Sequence, residues 1–221
     1  MLQLLWKQYQ RRCRASMLAL RFCTGLILVS LSVRKTYLFE IKDLRYGCNT
    51  TDLKRFWNTT EPIWTVTTAD TENSGLSCLV DVKENDTGSY TYFQRSHNVS
   101  STQERKTVEF KGYVSPGNKF DRTAMLLYYT NNTLYAKEDL LYESPDSSCG
   151  VIKFFHHPEV IRLDLRVKNS SIETGRHTIC FQYFLQAVKY YQSKPPYPDI
   201  KNRTLYNSSC QAILKSLKSG C

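Results

Sequence analysis

The chain has 221 residues, of which 41% are hydrophobic and 13% are aromatic, so it is long and apolar enough to form a domain with one core. This composition excludes an intrinsically disordered chain. The formal net charge of +10 is scattered along the chain and forms no basic stripe with interleaved aromatic residues, so nucleic acid is not an expected partner.

The N-terminus has the composition of a secretory signal peptide. Five basic residues and no acidic one precede an apolar run at residues 23–33, which ends in small side chains. We predict cleavage near Ser32, with Met17 as an alternative start. The apolar run is about half of the roughly 20 residues that a membrane-spanning helix needs, so no membrane anchor is expected after cleavage. The chain therefore divides into a signal peptide, residues 1–32, and one domain, residues 33–221.

The domain is predicted to begin with an irregular or short helical lid at residues 36–57 and to continue as strands. From residue 62 the apolar period is two, which predicts eight strands. Short turn sequences separate them and require antiparallel neighbours. Eight antiparallel strands in sequence order close into a barrel that holds side chains or one small ligand. The predicted strands are residues 63–68, 76–83, 90–94, 106–114, 122–130, 133–143, 148–155 and 160–167.

A helix is predicted after Gly175, because apolar residues from Cys180 to Val188 recur at spacings of three and four. Its apolar stripe should pack against the outside of the barrel. A proline-rich segment ends the helix, and a short amphipathic tail leads to Cys221. The predicted fold class is all-β, an eight-stranded antiparallel barrel with a C-terminal α-helix packed outside.

Asparagine usage indicates passage through the secretory pathway. Eight of the eleven asparagines stand in Asn-x-Ser/Thr sequons, far more than chance would give, and each sequon predicts an exposed position. The predicted glycosylation sites are Asn49, Asn58, Asn85, Asn98, Asn131, Asn169, Asn202 and Asn207.

Cysteine usage is consistent with an oxidising compartment. Signal cleavage would remove Cys13 and Cys23 and leave six cysteines, which predicts three disulfides in any of fifteen pairings. None of them has the CxxC spacing of a zinc site. The six are Cys48, Cys78, Cys149, Cys180, Cys210 and Cys221.

Motifs for catalysis are missing from the sequence. It contains no phosphate-binding glycine loop, no nucleophile elbow and no zincin motif, so we expect neither enzyme activity nor a cofactor. Adjacent His156 and His157 would point to opposite faces of a strand and could not share a metal ion, so no metal site is expected either.

Several features follow one another in a specific order along the chain: a cysteine before Trp57, then Trp64, Cys78, Tyr142-Glu143-Ser144, Cys149-Gly150-Val151, the strand at 160–167, Cys180 and the terminal cysteine. In this order the chain resembles the tick salivary lipocalins that include the histamine-binding proteins, over about residues 40–221. The resemblance implies a secreted lipocalin barrel, expected to be a monomer, that sequesters small host inflammatory mediators in evasion of host defence. It also implies disulfides from Cys149 to Cys180 and from Cys78 to the C-terminal region.

The ligand class is left open by three substitutions. Amine-binding members share Cys-Asp-Val, then Glu-Leu-Trp, then Cys, and this chain has Gly150, Asp164 and Arg166 at three of those positions. An ammonium ligand such as histamine or serotonin needs a carboxylate and aromatic faces in a low-dielectric interior. Arg166 would instead suit the carboxylate of a fatty acid or an eicosanoid such as a leukotriene.

The assignment of ligand-binding residues has a competing explanation. Asp164 and Arg166 alternate with apolar neighbours, as a solvated strand face would, whereas the resemblance places them inside the barrel. Aromatic residues on several strands could stack on a ligand or fill the core. The full set of candidate ligand-binding residues is Asp164, Arg166, Trp64, Tyr90, Tyr92, Phe110, Tyr128 and Phe154.

Two other functions are compatible with the sequence. Residues 86–92 imitate the tyrosine corner of an immunoglobulin-like adhesion domain, although Tyr92 stands where that domain has a disulfide cysteine. Alternatively, a lipocalin barrel could inhibit a host protein, such as a complement component, through its outer surface.

Overall fold

The structure is a computed structural model that describes residues 51–71, 75–99, 102, 104–114, 123–156, 160–175 and 177–218. The predictions made for the signal peptide, Cys48, Asn49, His157 and Cys221 lie outside these residues. Everything described falls within one unit, Asp43–Cys221.

All eight predicted strands are present, and each pairs antiparallel with the next one along the chain. β1 pairs with β8 on one side and with β2 on the other, so the sheet closes on itself. The predicted lipocalin barrel is confirmed. The immunoglobulin alternative is wrong, because that fold needs two separate sheets. The strands are β1 (Ile63–Asp70), β2 (Leu76–Asp86), β3 (Tyr90–Val99), β4 (Arg105–Val114), β5 (Ala124–Tyr129), β6 (Leu134–Glu143), β7 (Cys149–His156) and β8 (Val160–Lys168).

A one-turn helix, α1 (Leu53–Phe56), covers the end of the barrel where β1 begins. The Asp52 side chain caps it by accepting hydrogen bonds from the backbone N–H groups of Lys54 and Arg55. Arg55 donates to both carboxylate oxygens of Glu143 at 3.0 and 2.8 Å, which ties the helix to the end of β6. Leu53, Phe56 and the following Trp57 are buried in the barrel core. Of the lid predicted at residues 36–57, the structure describes residues 51–57, which contain a single helical turn that the Arg55–Glu143 ion pair ties to β6.

The long helix α3 (Thr178–Gln192) packs outside the barrel, as predicted, with Phe184, Ala187 and Val188 buried against β7 and β8. A disulfide from Cys180 to Cys149 on β7 fixes its first turn. The short helix α2 (Asn169–Ile172) connects β8 to this segment. The helix covers the outer face of one side of the barrel.

The C-terminal segment covers the seam between β1 and β2. A ninth strand that the sequence did not predict, β9 (Lys201–Thr204), pairs with the second half of β1. A 3-10 helix (Ser208–Gln211) and α4 (Ala212–Lys218) follow. The Cys78–Cys210 disulfide joins β2 to this segment, so both pairings implied by the resemblance are present.

Five of the eight sequon asparagines are exposed, as predicted: Asn58, Asn85, Asn131, Asn202 and Asn207. Asn98 and Asn169 are half-buried, so the expectation of full exposure is wrong for these two. Asn98 lies within β3, and Asn169 accepts hydrogen bonds from Trp64 Nε1 (2.9 Å) and Gln211 Nε2 (2.8 Å) at the barrel surface. In the described part of the chain, no helix has both the length and the apolar character needed to span a membrane.

The two disulfides should contribute unequally to stability, because Cys78–Cys210 closes a chain segment of 132 residues and Cys149–Cys180 one of 31. Loss of loop-closure entropy predicts that the double serine variant at the first pair lowers the free energy of unfolding by about 5 kcal/mol, against about 4 kcal/mol at the second. Urea unfolding of both variants measures the difference. The reverse order would contradict the entropic explanation.

Candidate functional site

Six ionisable side chains are gathered inside the barrel, and we call them the interior ion cluster. They come from β2, β3, β6 and β8, on strand positions that face inward. Three are arginines and three are carboxylates, so their charges balance. The side chains are at most 7% exposed, except one arginine at 12%. The members are Asp81, Arg95, Glu138, Arg162, Asp164 and Arg166.

Glu138 is the centre of the cluster. Arg166 Nη1 and Nη2 donate to its two carboxylate oxygens at 2.8 and 2.5 Å. Arg95 Nη2 donates to Oε1 at 2.8 Å. One fully buried carboxylate therefore connects two guanidinium groups from opposite sides of the barrel.

Asp81 and Asp164 provide further carboxylate partners for the guanidinium groups. Arg95 donates to Asp81 at 2.6 and 2.8 Å, and Arg162 donates to Asp164 at 2.8 and 2.9 Å. Asp164 further accepts a hydrogen bond from the Thr68 hydroxyl at 2.8 Å, and Arg166 Nη2 lies 3.3 Å from its second oxygen. Such bidentate, charge-assisted bonds are strong and fix orientation.

The cluster keeps the carboxylates of Asp164 and Glu138 ionised. Burial alone would raise the pKa of Asp164, but the guanidinium groups of Arg162 and Arg166 outweigh it and lower the pKa to about 2. Burial also opposes ionisation of Glu138, whose pKa is nevertheless lowered by Arg166 and Arg95. At neutral pH the interior therefore holds paired charges and no neutral acid at either position.

An aromatic wall faces the cluster. Phe110 stacks on Tyr135 with ring centroids 4.8 Å apart, and Phe93 and Phe154 lie beside them. The Arg95 guanidinium carbon is 5.5 Å from the Phe93 ring centroid, and that of Arg162 is 4.3 Å from the Phe154 centroid. Cation–π contacts of this kind join the ionic and aromatic halves of the interior.

Three buried N–H donors beside the aromatic wall find no hydrogen-bond partner among the described residues: Arg95 Nη1, Arg166 Nε and Trp57 Nε1. The first two belong to guanidinium groups that share Glu138. Trp57 packs on Phe93, with ring centroids 4.6 Å apart. A buried donor without an acceptor costs about 1–3 kcal/mol, so these atoms are candidates for contact with a ligand.

Four of the eight predicted ligand-binding residues lie together in the interior. Asp164 and Arg166 are fully buried in the ion cluster, so a solvated strand face is the wrong explanation for them. Phe110 and Phe154 belong to the aromatic wall.

The other four predicted residues lie on the outer surface, and their assignment to the interior is wrong. Trp64 follows inward-facing Ile63, so it points out and packs edge-on against Tyr206 at 5.0 Å. Tyr90 and Tyr92 alternate with inward Phe93, and Tyr128 alternates with inward Tyr129. The strand period of two decides all four positions.

Sequence reasoning missed Asp81, Arg95 and Glu138. Asp81 and Glu138 stand in predicted strands, and Arg95 comes one residue after the strand predicted at 90–94. Each lies between residues that face the opposite way, and this was the available signal. The alternation identifies two faces of a strand but does not say which one is enclosed. Only the pairing of Asp81 with Arg95 across β2 and β3 shows that both face inward with Phe93.

Gly150 stands at the position where the Cys-Asp-Val pattern of the amine-binding tick lipocalins has an aspartate. A Cβ atom built there would lie 3.1 Å from Leu140 Cδ1, 3.1 Å from the backbone oxygen of Tyr142 and 3.3 Å from Phe56 Cε2. α1 therefore fills the space that a longer side chain would need.

Two surface depressions of about 340 and 430 Å³ lie outside the barrel, beside Pro195–Pro196 and beside α1.

No protein-family model and no curated protein matches the sequence. Solved structures that are similar at low identity include the following three. The serotonin complex of AM182 has a TM-score of 0.46 and 13% identity over 68% of this chain and 85% of that chain. Japanin from Rhipicephalus appendiculatus bound to cholesterol has a TM-score of 0.45 and 9% identity over 67% of this chain and 95% of that chain. A deswapped triple mutant of bovine odorant-binding protein has a TM-score of 0.44 and 14% identity over 67% of this chain and 95% of that chain.

The strand order itself defines the class of protein. The chain is a lipocalin-fold barrel whose described interior combines a balanced ion cluster with an aromatic wall.

Glu138→Gln should lower the free energy of unfolding far more than Asp139→Asn, although both replace a carboxylate by an amide on β6. Glu138→Gln leaves two buried guanidinium groups short of negative charge and should lower the free energy of unfolding by about 3–5 kcal/mol. Asp139→Asn, which removes ion pairs with Lys137 and Lys153 on the surface, should cost about 1 kcal/mol or less. Urea unfolding measures both. Equal losses would show that the cluster is not energetically central.

Acid should destabilise the protein through Asp164. Its pKa falls from 3.8 to about 2 on folding, so its stabilising contribution is complete above pH 3.8 and disappears as the pH falls through about 2. The contribution is about 2 kcal/mol. Unfolding free energies measured between pH 5 and pH 2 should fall more steeply for the wild type than for Asp164→Asn. Parallel curves would contradict this assignment.

Proposed function

We propose that this protein is a secreted lipocalin that binds and sequesters a small molecule inside its barrel. The observation that carries the proposal is the set of three buried, unpartnered N–H donors beside a wall of aromatic rings. An interior that served packing alone would be as stable with apolar residues, because replacing buried ion pairs by hydrophobic side chains is often neutral or stabilising. The interior ion cluster therefore supports a role in recognition.

The polarity of the interior favours an acidic or hydrogen-bond-accepting ligand head over an ammonium. The carboxylates of Asp81, Glu138 and Asp164 all accept hydrogen bonds from arginines, so an amine would have to compete with guanidinium groups for them. Of the three unpartnered N–H donors, two belong to the guanidinium groups of Arg95 and Arg166. A carboxylate or carbonyl oxygen is the group that such donors bind.

His97 lies on β3 two residues after Arg95, so it faces the same side of the sheet, and its surroundings support the same polarity. Burial lowers the pKa of His97, and repulsion by Lys106, Arg95 and Arg162 lowers it further. This part of the interior therefore disfavours an additional positive charge. Phe93, Phe110 and Phe154 offer the apolar surface that the body of an amphiphile needs.

We infer the biological role from the resemblance to tick salivary lipocalins. The protein would be a salivary scavenger that removes host inflammatory mediators and so aids evasion of host defence. Both disulfides are typical of an extracellular protein. Among the mediators, an eicosanoid such as a leukotriene fits the interior better than histamine or serotonin does.

Calorimetric titration of the wild-type protein tests the ligand class. We expect a leukotriene to bind, its uncharged methyl ester to bind at least tenfold more weakly, and histamine and serotonin to bind more weakly than the free acid. The ester keeps the apolar body and removes only the charge that the guanidinium groups would contact. Tighter binding of an amine would refute the acidic-head assignment, and absence of binding by all four would refute the carrier function.

Arg166→Lys tests the role of the cluster with the charge retained. A lysine cannot reproduce the fork of donors, so leukotriene affinity should fall by about tenfold to a hundredfold. Arg55→Lys is the matched control, because Arg55 makes a similar bidentate pair with Glu143 but its side chain is 47% exposed at the end of the barrel, and its affinity should stay at the wild-type value. Circular dichroism establishes that both variants are folded. Equal affinities of the two variants would place the ligand away from Arg166.

A further inference from the structure

The outer side of β3, β4 and β5 carries a group of aromatic side chains that the proposed ligand site does not use. We call it the tyrosine face. Its members are half-buried and lie in adjacent cross-strand rows, Tyr90 opposite Tyr113, and Tyr92 opposite Lys111 opposite Tyr128.

A lysine lies in the middle of the tyrosine face. Lys111 Nζ is 4.7 Å from the ring centroid of Tyr90 and 5.7 Å from that of Tyr128. The rings of Tyr90 and Tyr113 are tilted, with centroids 5.3 Å apart. The face therefore combines flat aromatic surface with an ammonium and phenol hydroxyls, which together can hold both the apolar and the polar side of one partner.

A predicted glycosylation site stands at the edge of this face. Asn85, near the end of β2, is exposed and is the register partner of Tyr92, so the two side chains leave the sheet on the same side. Directly opposed residues have Cβ atoms about 4.5–5.5 Å apart. Asn85 Oδ1 accepts a hydrogen bond from the Asp86 N–H at 2.8 Å. The carboxamide is thereby oriented with Nδ2, the atom that carries an N-glycan, away from that backbone group.

We infer that the N-glycan of Asn85 packs its first sugars on the tyrosine face, over Tyr92 and Tyr90, and covers this side of the barrel. A pyranose ring has a face of C–H groups that stacks on aromatic rings, and its hydroxyls hydrogen-bond to ammonium and phenol groups. The attachment point fixes the occupant, because the glycan starts in the same cross-strand row as Tyr92. This inference rests on the sequon at Asn85 and is independent of the ligand inside the barrel.

The test uses protein secreted from a glycosylating host, with occupancy of Asn85 measured by glycopeptide mass spectrometry. We expect Asn85 to be occupied, and Asn85→Gln and Thr87→Ala, which both abolish the sequon, to lower the thermal midpoint by about 2–4 °C. Thr87→Ala leaves the Asn85 side chain in place. Thr87→Ser, which keeps the sequon, and Asn202→Gln, which removes an exposed sequon on β9, are the controls and should shift the midpoint by less than about 1 °C.

A double-mutant cycle separates stacking from a general effect of the glycan. In a Tyr92→Ser background, Asn85→Gln should produce no further fall in the midpoint, because the ring that the sugar contacts is already gone. The same fall in both backgrounds would overturn the inference. An unoccupied Asn85, or an unchanged midpoint in Asn85→Gln, would overturn it as well.

Discussion

Closure of the sheet by the pairing of β1 with β2 separates one face of every strand from water, and the other features follow from that separation. The seam is short, with Ile63 opposite Asp81 and Trp64 opposite Val80. β9 continues the pairing along the second half of β1, the Cys78–Cys210 disulfide joins β2 to the segment that follows β9, and α1 covers one end. Because the β1–β2 pairing leaves no open gap between the first and last strands of the sheet, inward residues are shielded from solvent whatever their polarity.

The interior ion cluster is the consequence of that enclosure for charged residues. Each buried charge needs an opposite partner, and three arginines facing three carboxylates satisfy this requirement without a net charge. The balance also limits what can bind, since the carboxylates are engaged while donors of Arg95 and Arg166 remain. The same network that permits charges inside the barrel therefore sets the polarity of the ligand that it would receive.

The outer surface is divided among elements that protect different sectors. α3 covers β7 and β8, and the C-terminal segment covers the seam of β1 and β2. Each is attached by one disulfide, so the covering segments are covalently linked to the strands that they shield. A glycan on Asn85 would serve the same purpose for the tyrosine face, with a carbohydrate in place of a polypeptide.

The sequence by itself determined the eight strands, their antiparallel order and the outer helix, because a period of two, short turns and a later period of three to four are local properties of the chain. It did not reveal β9, whose four mostly exposed residues carry no apolar pattern and depend on β1 for pairing. It also could not decide that Arg166 lies inside while Tyr128 lies outside. Alternation gives each strand two faces, and only closure of the barrel decides which face is buried.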